Sequence, residues 1–234
     1  MLFNKHISRL SLGTAQFGTN YGIANQQGKI SIEDMREMLT YANAKGLNFL
    51  DTASVYTSSE INLGKIGLQK WNVISKIPPV SNKINDEQIS NWIISSVEES
   101  LSKLKLKSLY AILIHNPKDL LGKQGKEIFD SLKLLKKMNY VNKVGISTYG
   151  DDFLNEIIPH ISIDLIQTTF NIFDQRLKKS GWLKKIKEFD IELHARSVFL
   201  QGLLLMKKEN RPKQFKKWTS FWKQWDEFIK KKNK

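Results

Sequence analysis

The stretch NFLDTASVY, residues 48–56, joins a short apolar run to a polar loop. The apolar run has the length and composition of a buried β-strand, and it stops at Asp51. Small and polar residues follow, which is typical of a loop, and they lead to Tyr56. We therefore predict a strand whose end presents a carboxylate and whose following loop presents a phenol.

Short apolar runs alternate with longer amphipathic runs along nearly the whole chain. Seven runs are predicted as strands: 9–14, 47–51, 71–76, 108–115, 142–147, 164–167 and 191–196. The helix-like runs are 32–45, 58–69, 86–105, 124–139, 150–158, 174–188 and 211–231. Strand–helix alternation of this kind builds parallel sheets. No low-complexity linker divides the chain, so we predict one domain over residues 1–234, in which 207–234 form a basic amphipathic C-terminal helix.

The polar residues at the strand ends favour a closed barrel over an open doubly wound sheet. Six successive strands end in a polar or ionisable group: Asp51, Lys76, His115, Ser147, Gln167 and Arg196. In a barrel these ends open on one face, whereas the outer strands of an open sheet lie too far apart. The turn GTAQFG (13–18) also lacks the GxGxxG pattern of dinucleotide-binding open sheets. We predict a (β/α)8 TIM-barrel fold that is incomplete, with seven recognisable strands and no eighth.

Composition excludes several classes of protein. The chain has 234 residues, 41% hydrophobic and 26% charged, which is typical of a globular protein. It has no run of about 18 apolar residues, so we expect no membrane span. Its start lacks the apolar stretch of a signal peptide, so we expect a cytoplasmic protein. There are no cysteines, and the four histidines lack metal-ligand spacing, so we expect no metal site.

The basic C-terminal segment has two interpretations. Residues 207–234 hold eleven Lys and Arg against three Asp and Glu, which gives +8 of the net charge of +14. Such a segment could bind nucleic acid or anionic lipid. Its aromatic residues recur every three or four positions, which is typical of a helix face packed on a core: Trp218, Phe221, Trp222, Trp225 and Phe228. We interpret the charges as solvated helix faces and expect no nucleic-acid partner, and the oligomeric state stays open.

Four of the predicted side chains could together form a proton donor. A tyrosine has a reference pKa near 10 and is a poor donor at neutral pH without help. An ammonium group from Lys76 within about 4–6 Å would lower the pKa of Tyr56, and Asp51 would hold that ammonium in place. His115 could then hydrogen-bond a substrate oxygen and orient it. This arrangement suits a carbonyl that gains a hydride and needs a proton on its oxygen.

These residues resemble the Asp–Tyr–Lys–His tetrad of the aldo-keto reductases. The tetrad matches FLDTASVY (Asp51 and Tyr56), VISKIP (Lys76) and AILIHNP (His115). The resemblance runs from about residue 9 to about residue 206, and it also covers the segments 13–25, 144–147, 166–176 and 195–205. It implies an NAD(P)H-dependent oxidoreductase that reduces an aldehyde, ketone or sugar carbonyl, with Tyr56 as the proton donor.

The resemblance also implies a nicotinamide cofactor, NADP(H) in preference to NAD(H), bound across the carboxyl ends of the strands. The matching family positions are Gly13, Thr14, Asp51, Ser147, Thr148, Gln167, Arg196 and Ser197. Ser147, Thr148 and Gln167 correspond to the positions that hold the nicotinamide carboxamide. The chain has Thr148 where the family usually has asparagine, and Arg196 where the family has a stacking aromatic residue. A guanidinium plane can also stack on a ring.

Two other functions stay open at this point. A barrel that lacks its last βα unit could keep the tetrad and yet be a non-catalytic or weakly binding remnant, or a partner subunit. A barrel aldolase could instead use Lys76 as a Schiff-base nucleophile, although Asp51 and Tyr56 would then have no clear role.

Overall fold

The computed structural model of the chain describes residues 9–81 and 84–232. Seven parallel strands form one curled sheet, each paired with the next in chain order. They are β1 (Ser11–Gly13), β2 (Phe49–Asp51), β3 (Asn72–Ile77), β4 (Leu109–Ile114), β5 (Val141–Thr148), β6 (Leu165–Thr169) and β7 (Glu192–Arg196). Every predicted strand overlaps one of these. No eighth strand occurs among the described residues, so β1 and β7 form the two edges of an incomplete barrel.

In the described part of the chain, eight α-helices cover the sheet and its loops. They are α1 (Ile32–Ala44), α2 (Ser59–Ile66), α3 (Ile89–Leu104), α4 (Gly125–Lys137), α5 (Leu154–Ile157), α6 (Arg176–Lys179), α7 (Trp182–Glu188) and α8 (Thr219–Lys232). The single helix predicted over 174–188 is wrong, because the chain breaks at Gly181, whose φ of 82° lies in the left-handed region. The helix predicted over 211–231 is also divided, into a 3₁₀ helix at Lys213–Trp218 and α8.

Two helices show how the local sequence sets their bounds and their buried faces. The Ser31 hydroxyl accepts a hydrogen bond from the backbone N–H of Asp34 and so caps the start of α1. Asp34 and Glu33 lie in the first turn of α1, where the helix dipole favours negative charge. The apolar residues of α3 recur with a helical period and are buried, at Ile89, Ile93, Val97, Leu101 and Leu104.

A polar cluster inside the curled sheet ties the edge strand β7 to the central strands. Glu192 accepts hydrogen bonds from the Tyr110 hydroxyl at 2.6 Å, from His194 Nε2 at 2.5 Å and from Lys143. Burial alone would raise the pKa of Glu192, but the hydrogen bonds from His194, Lys143 and Tyr110 lower it to about 2. The His194 ring also contacts the Phe49 ring of β2, with centroids 6.0 Å apart. Because Glu192 and Phe49 are the first residues of their strands, these contacts fix the amino end of β7 relative to that of β2.

The C-terminal aromatic residues pack on loops at the carboxyl ends of the strands. The Phe173 ring, after β6, lies 5.9–6.2 Å from the rings of Phe221, Trp222 and Trp225. Trp225 Nε1 donates a hydrogen bond to the Leu204 carbonyl, after β7. Trp222 and Trp225 are half-buried, whereas the other aromatic side chains of α8 are exposed. Part of the predicted aromatic helix face therefore packs on the loops after β6 and β7.

The described residues form neither a membrane-spanning helix nor a cluster of metal-ligating side chains. None of the helices in 9–81 and 84–232 has the length and apolar character that crossing a bilayer requires. The same residues contain no group of three or more His, Asp or Glu side chains placed to hold a metal ion.

Candidate active site

The carboxyl ends of β2, β3 and β4 bring three ionisable side chains to one place. Asp51 is the last residue of β2, Lys76 lies near the end of β3, and His115 follows β4. Lys76 Nζ donates hydrogen bonds to Asp51 Oδ1 at 2.8 Å and to the Thr52 carbonyl at 2.7 Å. Lys76 is only 1% exposed, so these two oxygens compensate the burial of its charge.

Tyr56 reaches the same place from the loop after β2. Its ring centroid lies 5.4 Å from Lys76 Nζ and 6.5 Å from the centroid of the His115 ring. The loop is supported by the turn after β1, where a Cβ on Gly18 would lie 1.8 Å from the Tyr56 carbonyl oxygen. Only glycine allows that approach. The structure thus brings together the four side chains of the predicted tetrad, and Gly18 is a supporting residue that the sequence analysis missed.

The pKa of Tyr56 does not follow the sequence-based expectation. Burial raises it, the Asp51 carboxylate raises it further, and Arg196 opposes both, so that the pKa is about 12. The predicted lowering of this pKa is therefore wrong for the structure. The physical reason is that Asp51 neutralises the field of Lys76 while the ring itself is largely removed from water. As a result, Tyr56 keeps its proton at neutral pH.

His115 is neutral and has a buried nitrogen available for a ligand. Burial lowers its pKa to about 4, and the charges of Lys76 and Arg196 lower it in the same direction. Its Nδ1 atom is buried and has no hydrogen-bond partner among the described residues. Because buried polar atoms normally have partners, this atom indicates a place where a bound molecule can supply one.

Three of the predicted cofactor residues form a hydrogen-bonded chain around Asp51. Gln167 Nε2 donates to Asp51 Oδ1 at 2.7 Å, and the Ser147 hydroxyl donates to Gln167 Oε1 at 3.2 Å. The Thr14 hydroxyl donates to the Asp51 backbone carbonyl at 3.0 Å. Gln167 therefore orients the carboxylate that holds Lys76, a role that the sequence analysis did not foresee.

The other predicted cofactor residues lie around the same end of the sheet. The Thr148 hydroxyl donates to the Asp152 carbonyl at 2.8 Å. Ser197 follows β7 with a φ of 56°, and its carbonyl accepts a hydrogen bond from the Asn171 side chain. A Cβ built on Gly13 would meet no atom within 4 Å, so there is open space beside the end of β1.

The residues present fit a nicotinamide ring with its carboxamide. Ser147 and Gln167 are buried side chains with both donor and acceptor atoms, which a primary amide can match. The open space at Gly13 can admit a flat group beside β1.

Arg196 is the last residue of β7, and its side chain contacts the end of β5. Its Nη2 atom donates to the Thr148 carbonyl at 2.9 Å, and its Cζ atom lies 4.1 Å from the centroid of the Tyr149 ring. Its Nε atom is buried and has no partner in the described part of the chain. Tyr149 was not among the residues predicted from the sequence, although it directly follows the end of β5, and that position is a signal that could have indicated it.

A pocket opens beside His115. It has a volume of about 330 Å³ and is lined by His115, Asn116, Pro117, Lys118, Thr148, Tyr149, Asp152 and Phe153. This volume suits a small organic molecule. The pocket is bordered by His115 of the tetrad and by the two residues that hold Arg196.

The fold places the chain among the β/α barrels, in which functional residues lie at the carboxyl ends of the strands. The chain belongs to the aldo/keto reductase family, since the model of that family matches residues 9–234. The match continues past the limit near residue 206 that the sequence resemblance gave, and it includes α8.

One curated protein is similar to this chain in sequence, and two solved aldo-keto reductases are similar to it in fold. Among curated proteins, the chain is 25% identical over 210 residues to the uncharacterized oxidoreductase YqkF of Bacillus subtilis (strain 168), covering 86% of this chain and 64% of YqkF. The solved holo form of aldo-keto reductase AKR11C1 from Bacillus halodurans has a TM-score of 0.70 and 21% identity, covering 88% of this chain and 67% of that one. Bombyx mori aldo-keto reductase AKR2E4, solved in complex with NADP, has a TM-score of 0.58 and 21% identity, with 80% and 62% covered. The predicted barrel fold is confirmed.

Proposed function

We propose that the chain catalyses the NAD(P)H-dependent reduction of an aldehyde, ketone or sugar carbonyl, with Tyr56 as the proton donor. The observation that supports this most is the buried pair of Lys76 and Asp51 beside the Tyr56 ring, with Nζ 2.8 Å from Oδ1 and 5.4 Å from the ring centroid. Membership of the aldo/keto reductase family supports oxidoreductase chemistry in general.

Tyr56 would give its hydroxyl proton to the carbonyl oxygen of the substrate. A pKa of about 12 keeps that proton in place until the substrate oxygen becomes basic enough to take it. The phenolate that remains would be stabilised by the ammonium of Lys76, which is fixed before the reaction by Asp51 and the Thr52 carbonyl. The phenolate then recovers a proton from solvent.

His115 would position the substrate oxygen. As a neutral imidazole it has one N–H to donate and one nitrogen to accept, and its buried Nδ1 has no hydrogen-bond partner among the described residues. A hydrogen bond from His115 to the carbonyl oxygen would hold that oxygen near Tyr56 and polarise the carbonyl group.

When bound, a nicotinamide cofactor supplies the hydride. We assign Ser147, Thr148 and Gln167 to its carboxamide, and the further contacts to Gly13, Thr14, Asp51, Arg196 and Ser197. We propose NADP(H) in preference to NAD(H), because the Bombyx mori relative was solved with NADP. The substrate is a small molecule, and a cytoplasmic location stays a prediction.

The two alternatives have different support. A Schiff-base role for Lys76 needs a free amine, yet its Nζ already donates to Asp51 and to the Thr52 carbonyl. The remnant hypothesis rests on the seven-stranded sheet, which has no eighth strand among the described residues.

The proposal is tested by mixing the purified chain with NADPH or NADH and a panel of aldehydes, ketones and sugars, while following the loss of dihydronicotinamide absorbance. Calorimetric titration with each dinucleotide is run in parallel. Reduction of any carbonyl supports the proposal. Dinucleotide binding without reduction, or no binding at millimolar cofactor, would favour the remnant, and borohydride trapping of a substrate on Lys76 would favour the aldolase.

The pH dependence of kcat/KM should be flat between about pH 5.5 and about pH 9.5, because this parameter reports the ionisations of the free protein. His115 becomes neutral as the pH rises through about 4, and Tyr56 loses its proton only as the pH rises through about 12. Both groups therefore stay in their working forms between these values. A decline of kcat/KM near pH 8 that is absent in Tyr56→Phe would show that Lys76 does lower the pKa of Tyr56.

A further inference from the structure

Helix α8 presents large apolar side chains to solvent. Phe221 is 52% exposed and Phe228 is 44% exposed. These two residues are seven positions apart, which is about two helical turns, so they lie on one side of the helix. Ile229 and, directly before α8, Trp218 are exposed as well. The aromatic face that was predicted to pack on a core is therefore only partly covered by the described chain.

Contacts on the packed side of α8 hold this apolar surface outward. Trp225 Nε1 donates a hydrogen bond to the Leu204 carbonyl at 3.1 Å, and Arg211 Nη1 donates to Asp226 Oδ2 at 3.1 Å. The Phe228 ring is stacked on the Trp225 ring, with centroids 5.8 Å apart. Because the helix is already folded and oriented, a partner that binds its outer side has little ordering to impose.

Lysine side chains surround the apolar surface. Residues 213–232 contain two acidic residues, Asp226 and Glu227, and Asp226 is already paired with an arginine. Two of the lysines follow Phe228 by three and four positions, so they are its neighbours on the helix surface. The exposed lysines of this stretch are Lys213, Lys216, Lys217, Lys223, Lys230, Lys231 and Lys232.

An apolar helix surface bordered by lysines suits the interface of an anionic phospholipid bilayer. Apolar side chains enter the boundary between the head groups and the acyl chains. Lysine ammonium groups are attracted to the negative surface of the bilayer, and their methylene stems can cover apolar surface on the way to it. The positive charge of α8 and its exposed rings would thus act on the same partner.

A nucleic acid fits this surface less well. A duplex would use the lysines and leave the apolar side chains in water, and a single strand needs open aromatic rings on which its bases can stack. One face of the Phe228 ring is already stacked on Trp225, and the neighbouring Ile229 has no ring. A second copy of this chain also fits poorly, because two surfaces with the same excess of lysines repel each other.

We propose that the outer side of α8 binds an anionic phospholipid bilayer peripherally. Phe221, Phe228 and Ile229 would enter the head-group region, and Lys231 and Lys232 would bind lipid phosphates. The proposal uses no residue of the tetrad and does not depend on the proposed function. Since α8 packs on the loops after β6 and β7, binding would bring the carboxyl ends of these strands near the bilayer.

The test is flotation of the full chain with vesicles of phosphatidylcholine, either alone or with about one third phosphatidylserine. Each mixture is prepared at about 0.1 M and about 0.5 M NaCl. The variants of α8 are Phe228→Gln, and Lys231→Gln combined with Lys232→Gln. All three positions are exposed, and thermal unfolding checks that each variant is folded.

Matched control variants lie on loops that lead into strands, at the opposite end of the sheet from α8. Phe189→Gln replaces a phenylalanine that is exposed after α7. Lys70→Gln combined with Lys107→Gln replaces two exposed lysines, one before β3 and one before β4. These controls remove the same kinds of side chain from another part of the surface.

The wild-type chain should bind the anionic vesicles at least about tenfold more tightly than the neutral vesicles at the lower salt concentration. A lysine near an anionic surface contributes about fivefold, so Lys231→Gln with Lys232→Gln should weaken binding by about 25-fold. Phe228→Gln should weaken it by about fivefold or more, because a ring no longer enters the interface. The control variants should bind as the wild-type chain does, and the higher salt concentration should weaken binding of all.

The proposal is overturned if the wild-type chain binds neither kind of vesicle, or binds both equally. Variants of α8 that bind as tightly as the wild-type chain, or controls that lose as much binding as they do, would also overturn it. Gel shifts with single-stranded and duplex DNA, and light scattering, examine the other partners. Tighter binding to DNA than to vesicles, or a dimer that Phe228→Gln dissociates, would assign the surface to that partner instead. If a variant does not fold, the lipid preference of the wild-type chain decides.

Discussion

Tyr56→Phe is expected to lower kcat/KM for carbonyl reduction by about 10²- to 10⁴-fold, the range that a positioned general acid contributes. Phenylalanine keeps the ring that contacts His115 and Lys76 but has no proton to give. The Tyr56 hydroxyl makes no hydrogen bond within the described residues, so stability should change little. Steady-state kinetics with a saturating dinucleotide measure the effect, and calorimetry checks that dinucleotide affinity is unchanged.

Tyr41→Phe is the matched control for that variant. Tyr41 is 68% exposed on α1, far in sequence from the strand ends, and loss of its hydroxyl should leave kcat/KM unchanged. If Tyr56→Phe kept its rate within about threefold of the wild-type value, the proton would come from another group, and the mechanism proposed for Tyr56 would be wrong.

Lys76→Met is expected to lower both stability and activity. It leaves the Asp51 carboxylate, 19% exposed, without its cation, and removing one partner of a buried pair typically costs about 3–5 kcal/mol of unfolding free energy. It also removes the charge that stabilises the Tyr56 phenolate, so kcat/KM should fall by about 10²-fold or more. Urea unfolding and steady-state kinetics measure the two effects.

Two further variants separate these effects. Lys103→Met breaks a surface pair with Glu99, which is 66% exposed, and should cost no more than about 1 kcal/mol. The double variant Lys76→Met with Asp51→Leu removes both charges and should recover most of the lost stability without recovering activity. A cost for Lys76→Met as small as that for Lys103→Met would contradict a compensated buried pair.

The seven strands could be predicted from the sequence because each is a short apolar run, and six of them end in a polar or ionisable residue. Asp51, Lys76 and His115 were found in this way, since parallel strands align their carboxyl ends. Helix bounds were predicted less well where a single residue interrupts an amphipathic run. Gly181 divides α6 from α7 through its backbone conformation, and the hydrophobic pattern around it does not show this.

The electrostatics of the site could not be predicted from residue types alone. The pKa of Tyr56 depends on how deeply the ring is buried and on Asp51 neutralising Lys76, and both are properties of three-dimensional packing. The contact between Arg196 and Thr148 joins residues 48 positions apart in the chain. The stacking of Arg196 on Tyr149 likewise depends on the sheet, in which β5 and β7 lie on either side of β6.

The central claim is that Tyr56 and Lys76 act as one acid, and a double-variant cycle on kcat/KM tests it most directly. The cycle compares the wild-type chain, Tyr56→Phe, Lys76→Met and the double variant, at a temperature where unfolding curves show all four folded. Residues that work as a unit have non-additive effects, so the double variant should be about as slow as Tyr56→Phe alone. If the two losses instead multiply in the double variant, Lys76 acts independently of the phenol and the account is contradicted.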